Sequence, residues 1–253
     1  MPETEEFPFT LPLIKELEPI IFNKNITFFV GENGAGKSTI LEGIATKLNL
    51  PVAGTASSEL DPALESARRL AQYISLRQTT KTTQGFFTRA EDFIGFVKSI
   101  QRQIAELSFE IKEIEETWTG GDINLATKYI KAERQELINR YGKDLDAMSH
   151  GEGFLKFFLS RITGKGIYLI DEPEAALSPT RQLSLISLIR SKAKDVDAQF
   201  IIATHSPIIL SIPEAEILEF KEGKITPISY HETEHYQITK AFLDNPEVFL
   251  REL

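Results

Sequence analysis

The run Gly31, Glu32, Asn33, Gly34, Ala35, Gly36, Lys37, Ser38, followed by Thr39, has the spacing G-x-x-x-x-G-K-[ST]. Its glycines let the backbone curl until successive N–H groups point inward at phosphate oxygens. A helix starting there adds the positive end of its dipole. Lys37 would then reach the β and γ phosphates of a nucleoside triphosphate, and the Ser38 hydroxyl would ligate magnesium. The candidate nucleotide-binding residues are Asn33, Gly34, Ala35, Gly36, Lys37, Ser38 and Thr39.

Further along, Ile167, Tyr168, Leu169 and Ile170 close on two acids, Asp171 and Glu172. A buried parallel strand delivers such carboxylates at its carboxyl end, where open α/β sheets bind ligands. Asp171 is expected to hold the magnesium, and Glu172 to accept a proton from the attacking water. Ser149, His150, Gly151 and Glu152 precede this strand, with Ser149 and Glu152 spaced as a capping box. A capped, glycine-bearing helix tip is a second anion site, too far along the chain to serve the same phosphate without a partner. His205 follows an apolar run that ends at Ala203. A strand end in the same sheet is where a γ-phosphate contact would come from.

These side chains need a sheet to hold them. Residues 25–30 form a β-branched and aromatic run entering the glycine turn, and a helix should follow over 36–48. Residues 166–170 and 199–203 are two more apolar strands, separated by a helical pattern over 179–193. That order predicts a mostly parallel sheet with helices packed on it. Residues 215–220 and 224–228, joined at Glu222 and Gly223, read as a terminal hairpin, with a helical tail after Ile238. At the other end, alternation through Phe7, Phe9, Leu11 and Leu13 and the stretch 18–22 suggest edge strands broken by Pro8 and Pro12.

The middle of the chain reads differently. Phe93, Val97, Ile100, Ile104, Leu107, Ile111, Ile114 and Trp118 recur at alternating spacings of four and three, a heptad seam. Residues 118–122 then form a turn, and Leu125, Tyr129, Leu137, Tyr141 and Leu145 give a weaker second stripe. The expected organisation is a core over 1–91 and 148–253 with a helical hairpin subdomain inserted over 92–147. The seam suits a protruding hairpin and one docked on the core equally.

Composition narrows the chemistry. With no cysteine among 253 residues, disulfides, zinc-thiolate sites, iron–sulfur clusters and thiol catalysis are excluded. A net charge of −9 opposes long-range attraction to nucleic acid. Arg68, Arg69, Arg77, Lys81 and Arg89 lie in a stretch free of acids, which reads as a solvated basic face. The acidic amino terminus lacks the pattern of a secretory signal, and no apolar run approaches the ~18–20 residues that span a bilayer. A soluble, cytoplasmic protein is expected, one that could still dock on a membrane partner.

In order along the chain, G-E-N-G-A-G-K-S-T, S-H-G-E, L-I-D-E-P-E, A-L-S-P and A-T-H-S-P resemble the Walker A, signature, Walker B, D-loop and H-loop of ABC-type ATPases. More narrowly, the sequence is similar to small stand-alone bacterial ATPases grouped with SMC-like and RecF-like proteins, over about residues 7–228. The resemblance implies an α/β P-loop NTPase fold of the ABC type: a mostly parallel core sheet, an antiparallel β edge and an inserted helical hairpin subdomain. It implies ATP and Mg2+ as ligands and ATP hydrolysis as the activity, with Glu172 as general base and His205 as γ-phosphate sensor. It also implies a head-to-tail homodimer in which the signature residues Ser149, Gly151 and Glu152 of one copy meet the phosphate held on Lys37 of the other. His150 and Glu152 depart from the usual glycine and glutamine of the signature, and Ser178 and Pro179 stand where a D-loop aspartate belongs. The Q-loop residue stays open between Gln84 and Glu91, and the adenine-stacking aromatic among Phe7, Phe9 and Phe22.

Three functions follow. The residues favour an ATP-gated dimer that acts through its hairpin on DNA or an effector protein. The alternative is the nucleotide-binding subunit of an ABC transporter, for which the Q-loop, D-loop and signature are weak. The least favoured reading is a small-molecule P-loop kinase, which brings an arginine-rich lid over the phosphates and does not need Glu172 and His205 together.

Overall fold

A computed structural model describes residues 5–52, 64–82, 84–141, 155 and 158–251. Its centre is a six-stranded sheet of β1 (Ile26–Gly31), β2 (Gly85–Arg89), β3 (Ile167–Asp171), β4 (Gln199–Ala203), β5 (Glu216–Lys221) and β6 (Lys224–Pro227). The spatial order is β2-β3-β4-β1-β5-β6. All neighbours run parallel except β6, which returns antiparallel to β5. The carboxyl ends of five strands therefore lie along one edge, where Arg89 stands opposite Asp171 and Asp171 opposite Ala203.

Both faces of this sheet are buried, which is why its strands read as continuous apolar runs. Side chains alternate between the faces: Phe28, Tyr168, Ile170, Phe200 and Ile202 go to one, and Phe29, Phe87, Leu169 and Ile201 to the other. The second face is covered by α1 (Pro12–Lys15), α2 (Lys37–Lys47) and α3 (Glu65–Ala71) through Leu13, Ile14, Leu41, Ile44 and Leu70.

No strand forms over 7–22. Pro12 occupies the first turn of α1, where its missing N–H costs nothing, and Phe9, Leu13 and Ile14 are buried as a plug rather than paired in a ladder. The antiparallel edge comes from β6 instead.

Between β2 and β3 the chain runs out through α4 (Ala90–Thr117) and back through α5 (Ile123–Tyr141). At the root, Ile100 belongs to the buried cluster that holds Phe86 and Phe158, and Ile104 and Leu137 pack against it. At the far end Phe109, Trp118, Leu125 and Tyr129 are exposed, Tyr129 to 82%. The hairpin is thus docked at its base and free at its tip.

The expected second stripe is corrected here, since Leu125 and Tyr129 face outward. The inward register is Ile123, Thr127, Ile130, Arg134 and Leu137, spaced four, three, four, three. Two polar members hid it from an apolar-only reading. Thr127 is fully buried with its Oγ1 donating to the Ile123 carbonyl at 2.9 Å, and Arg134 Nη1 donates to Ser108 Oγ at 3.4 Å. Leu145 lies outside the described residues.

Further along, α6 (Pro179–Asp195) puts Leu185, Leu188 and Ile189 on the first face, and α7 (Glu234–Asp244) and α8 (Pro246–Leu250) follow β6. The terminal helix starts at Glu234, earlier than the sequence suggested.

One close approach defines where β1 enters the turn. Gly31 has φ +136°, and a Cβ there would lie 2.3 Å from the Phe220 carbonyl oxygen of β5. Gly31→Ala must part the two strands or break the turn. A loss of about 3 kcal/mol in urea unfolding is expected; an unchanged midpoint would mean that β5 does not constrain this position.

Candidate functional site

The turn that joins β1 to α2 owes its shape to glycine. Gly34 and Gly36 have φ of +82° and +98°, and Gly36 caps α2 in the left-handed region without a side-chain hydrogen bond. The first N–H groups of α2 are therefore not taken by a cap, and orphan amides at a helix start suit an anion. A Cβ at Gly34 would meet nothing within 4 Å, so that position needs the backbone angle rather than the space. Asn33 and Gly34 are exposed, Ala35 and Ser38 half-buried, and Lys37 and Thr39 buried. Lys37 folds back into the turn, where Nζ donates to the carbonyls of Gly31 at 2.7 Å and Glu32 at 2.9 Å. Burial lowers its pKa; the charges of Glu172, Asp171 and Glu174 oppose that effect.

Asp171 closes β3 with only 7% of its surface exposed. Burial raises its pKa from 3.8 to about 6, helped by repulsion from Glu172 and opposed by a hydrogen bond from Ser38 and by the charges of Lys37 and Arg89. Its Oδ1 has no hydrogen-bond partner among the described residues. An unpartnered carboxylate oxygen beside a serine hydroxyl is an all-oxygen donor set that fits a hard cation such as Mg2+, which binds through one or two protein oxygens plus nucleotide phosphates.

The raised value has a measurable consequence. Between pH 3.8 and about 6 the folded protein holds a proton that the unfolded chain has released, so stability falls as pH rises through that window. Above it, the nucleotide-free protein carries a cost of about 3 kcal/mol. Asp171→Asn is expected to raise the urea midpoint at pH 8, with the gap narrowing toward pH 5. A variant no more stable than the parent at pH 8 would contradict this account.

Glu172 follows in the left-handed region, with φ 48°, and its N–H donates to the Ala203 carbonyl at 2.9 Å. For a residue with a Cβ this costs about 1 kcal/mol. The bend turns the side chain outward, where Oε1 lies 3.6 Å from Nε2 of His205. Pro173 then begins a short 3-10 turn, Pro173–Ala176, which brings Glu174 back beneath the same loop. Glu174 accepts from Thr204 Oγ1 at 2.8 Å and from the His205 N–H at 2.5 Å, and burial raises its pKa. Sequence reasoning assigned Glu174 no role. The signal was a loop after β4 whose polar groups have no ladder partner and so need an acceptor.

The His205 ring is half-buried, and its Nδ1 is hydrogen-bonded to Nε2 of His235 in α7. The rings lie 4.7 Å apart. Burial, then the nearby Lys37 charge, lowers the pKa of both histidines. His235 was also missed, because nothing local in the sequence ties it to a loop 30 residues earlier.

Arg89 ends β2 opposite Asp171, half-buried and ion-paired to Asp92 at 3.2 Å and Glu42 at 3.6 Å, so it is part of this edge rather than of a solvated basic face. Gln84 precedes β2 at the amino end of that strand, away from the carboxyl edge, where its carbonyl accepts from the Ile167 N–H. Glu91 lies in the first turn of α4. Of the aromatic candidates, Phe9 is buried edge-on against Tyr73, Phe22 stacks on Phe29, and Phe7 is exposed. A cavity of about 410 Å³ adjoins the phosphate turn, lined by Leu11, Pro12, Asn33, Glu219 and Gly223 among others, and none of the three phenylalanines lines it. Ser178 and Pro179 start α6. Ser149, Gly151 and Glu152 lie outside the described residues. The structure thus gathers Lys37, Ser38, Asp171, Glu172 and His205 at one sheet edge.

Residues 51–211, more than half of the chain, match the family model described as "AAA domain, putative AbiEii toxin, Type IV TA system". The match begins beyond the phosphate turn. Among curated proteins, the "Phosphonates import ATP-binding protein PhnC 1" of a Ruegeria species is 26% identical, over 85% of this chain and 81% of that protein. The "Putative ABC transporter ATP-binding protein" of Sulfurisphaera tokodaii is 24% identical over 83% of this chain, which spans only 40% of that relative's length. Among solved structures, the SMC head domain from Thermotoga maritima aligns over 83% of this chain and 92% of its own, with 16% identity and a TM-score of 0.41.

Proposed function

The chain belongs to this AAA-domain family, and from that premise we propose that it is a P-loop ATPase of the ABC type that hydrolyses ATP at the carboxyl edge of its sheet, closes head-to-tail with a second copy, and drives a partner. The observation that carries the reading is the meeting of Lys37 and Ser38 with an unpartnered, buried Asp171 carboxylate oxygen, while Glu172 and His205 face the same edge.

In this reading Lys37 exchanges its two carbonyl acceptors for phosphate oxygens, and the free amides at the start of α2 bind the remainder. Ser38 and Asp171 would hold Mg2+, which would neutralise charge developing on the phosphates. Glu172, on the exposed side of its bend, orients the attacking water and takes its proton. His205, its backbone pinned by Glu174, presents Nε2 to the γ-phosphate. Ser149, Gly151 and Glu152 complete the site from the second copy. The cavity beside the turn takes the nucleoside between Leu11, Pro12 and the β5–β6 turn.

Two partner classes remain. Both curated relatives bear the names of transporter ATP-binding proteins, which favours the nucleotide-binding subunit of a membrane transporter. Among the described residues no helix is long and apolar enough to cross a membrane, so a polytopic partner would supply the span. The exposed aromatic tip of the hairpin supports a second reading, contact with an effector protein or DNA, and the charge of −9 weighs against DNA. Recovering Glu172→Gln protein from its own cells in ATP separates them: a polytopic membrane protein supports the first, a soluble protein or nucleic acid the second. Absence of ATP hydrolysis by the wild-type protein, alone and with the recovered partner, would overturn the proposal as a whole.

A further inference from the structure

Two of the chain's four histidines meet across 30 residues, and the segment that brings them together is fastened to the His205 loop at Pro207. Tyr230 Oη donates to the Pro207 carbonyl at 2.9 Å, and the fully buried Thr233 donates its Oγ1 to the Tyr230 carbonyl at 2.8 Å. His235 follows in the first turn of α7. Beyond it, neither α7 nor α8 contains a buried residue, so the attachment of this terminal segment is concentrated where it touches the loop.

Two neutral imidazoles joined nitrogen to nitrogen hold one proton between them, so one donates and the other accepts. If Nε2–H of His235 donates, Nδ1 of His205 accepts and the other nitrogen of His205 carries the hydrogen. That nitrogen, Nε2, is buried, has no hydrogen-bond partner among the described residues, and faces Glu172 Oε1 at 3.6 Å. The opposite arrangement would set a lone pair against the carboxylate and leave His205 nothing to donate to a phosphate. The carboxylate therefore selects the first arrangement.

We propose that His235 is a positioning residue of the nucleotide site, fixing the ring and the tautomer of His205 so that its Nε2–H is presented to the γ-phosphate. The role rests on the ATPase reading above, and it makes the terminal segment 229–236 a working part of the site. Lys37 and Glu172 face His205, while Lys37, Glu219 of β5 and Glu234 of α7 surround His235. Burial keeps both rings neutral near pH 7, which preserves a one-proton bridge.

The first test needs no nucleotide. Ring-nitrogen NMR of the full chain, with the four histidines assigned by single replacement, should show His205 as the Nε2–H tautomer and a mixed population once His235→Phe removes the donor. Steady-state kinetics supply the second. His235→Phe should lower kcat by about tenfold to a hundredfold while the KM for ATP stays within about threefold. His235→Gln, whose amide can donate from a similar reach, should recover most of that loss. Finding His205 as the Nδ1–H tautomer, an unchanged spectrum in His235→Phe, or equal kcat for the Phe and Gln variants overturns the proposal. A wild-type protein without ATP turnover instead sinks the ATPase reading, and the ring-nitrogen result still judges the bridge.

Discussion

Glu172→Gln is expected to bind ATP as tightly as the parent, to hydrolyse it about 10²–10⁴-fold more slowly, and to accumulate as a dimer in ATP. The substitution keeps the size and hydrogen-bonding reach of the side chain but removes the proton acceptor that the left-handed bend after β3 turns outward toward His205. The other two carboxylates are not substitutes. Asp171 is buried against Ser38, and both oxygens of Glu174 are engaged by Thr204 and the His205 amide. Binding should survive because the phosphate contacts come from the turn and from Lys37. Dimer should accumulate because a closed pair opens only after hydrolysis. Single-turnover phosphate release and light scattering in ATP read the two effects separately. Turnover within about threefold of the parent would remove Glu172 from the reaction.

The parts of this site that could be read in the sequence are those whose position and role are local. A strand buried on both faces is a continuous apolar run, so 199–203 could be bounded to the residue, and residues at its carboxyl end fall on the ligand edge whatever the rest of the chain does. The phosphate turn is legible for the same reason, since its glycines are required by backbone angles within the turn. What stayed hidden depends on distant partners. Glu174 and His235 act on His205 from about 30 residues away, and no periodicity marks either. The register of α5 was misread because it passes through Thr127 and Arg134, polar residues made tolerable by hydrogen bonds that exist only once the hairpin has formed. At the amino end, alternation through Phe9, Leu11 and Leu13 looked like a strand, but prolines at 8 and 12 deny it a ladder, and the same apolar side chains plug the second face of the sheet instead.

Lys37→Ala should weaken ATP binding by more than a hundredfold. At least two hydrogen bonds to charged oxygens are lost, each worth ~1.5–3 kcal/mol, and ~1.4 kcal/mol is a factor of ten in Kd. A second effect acts in the same direction. Lys37 is the charge set against Asp171, Glu172 and Glu174, and without it a triphosphate must enter a pocket walled by carboxylates. Nζ donates to the Gly31 and Glu32 carbonyls, so the ammonium lies inside the turn, a short move from phosphate oxygens bound there. The deficit should therefore grow with phosphate number: small for AMP, larger for ADP, largest for ATP. Titration calorimetry with the three nucleotides separates this from a collapsed turn, which would weaken all three alike. An ATP Kd within about threefold of the parent would mean that the buried ammonium serves the turn and not the nucleotide.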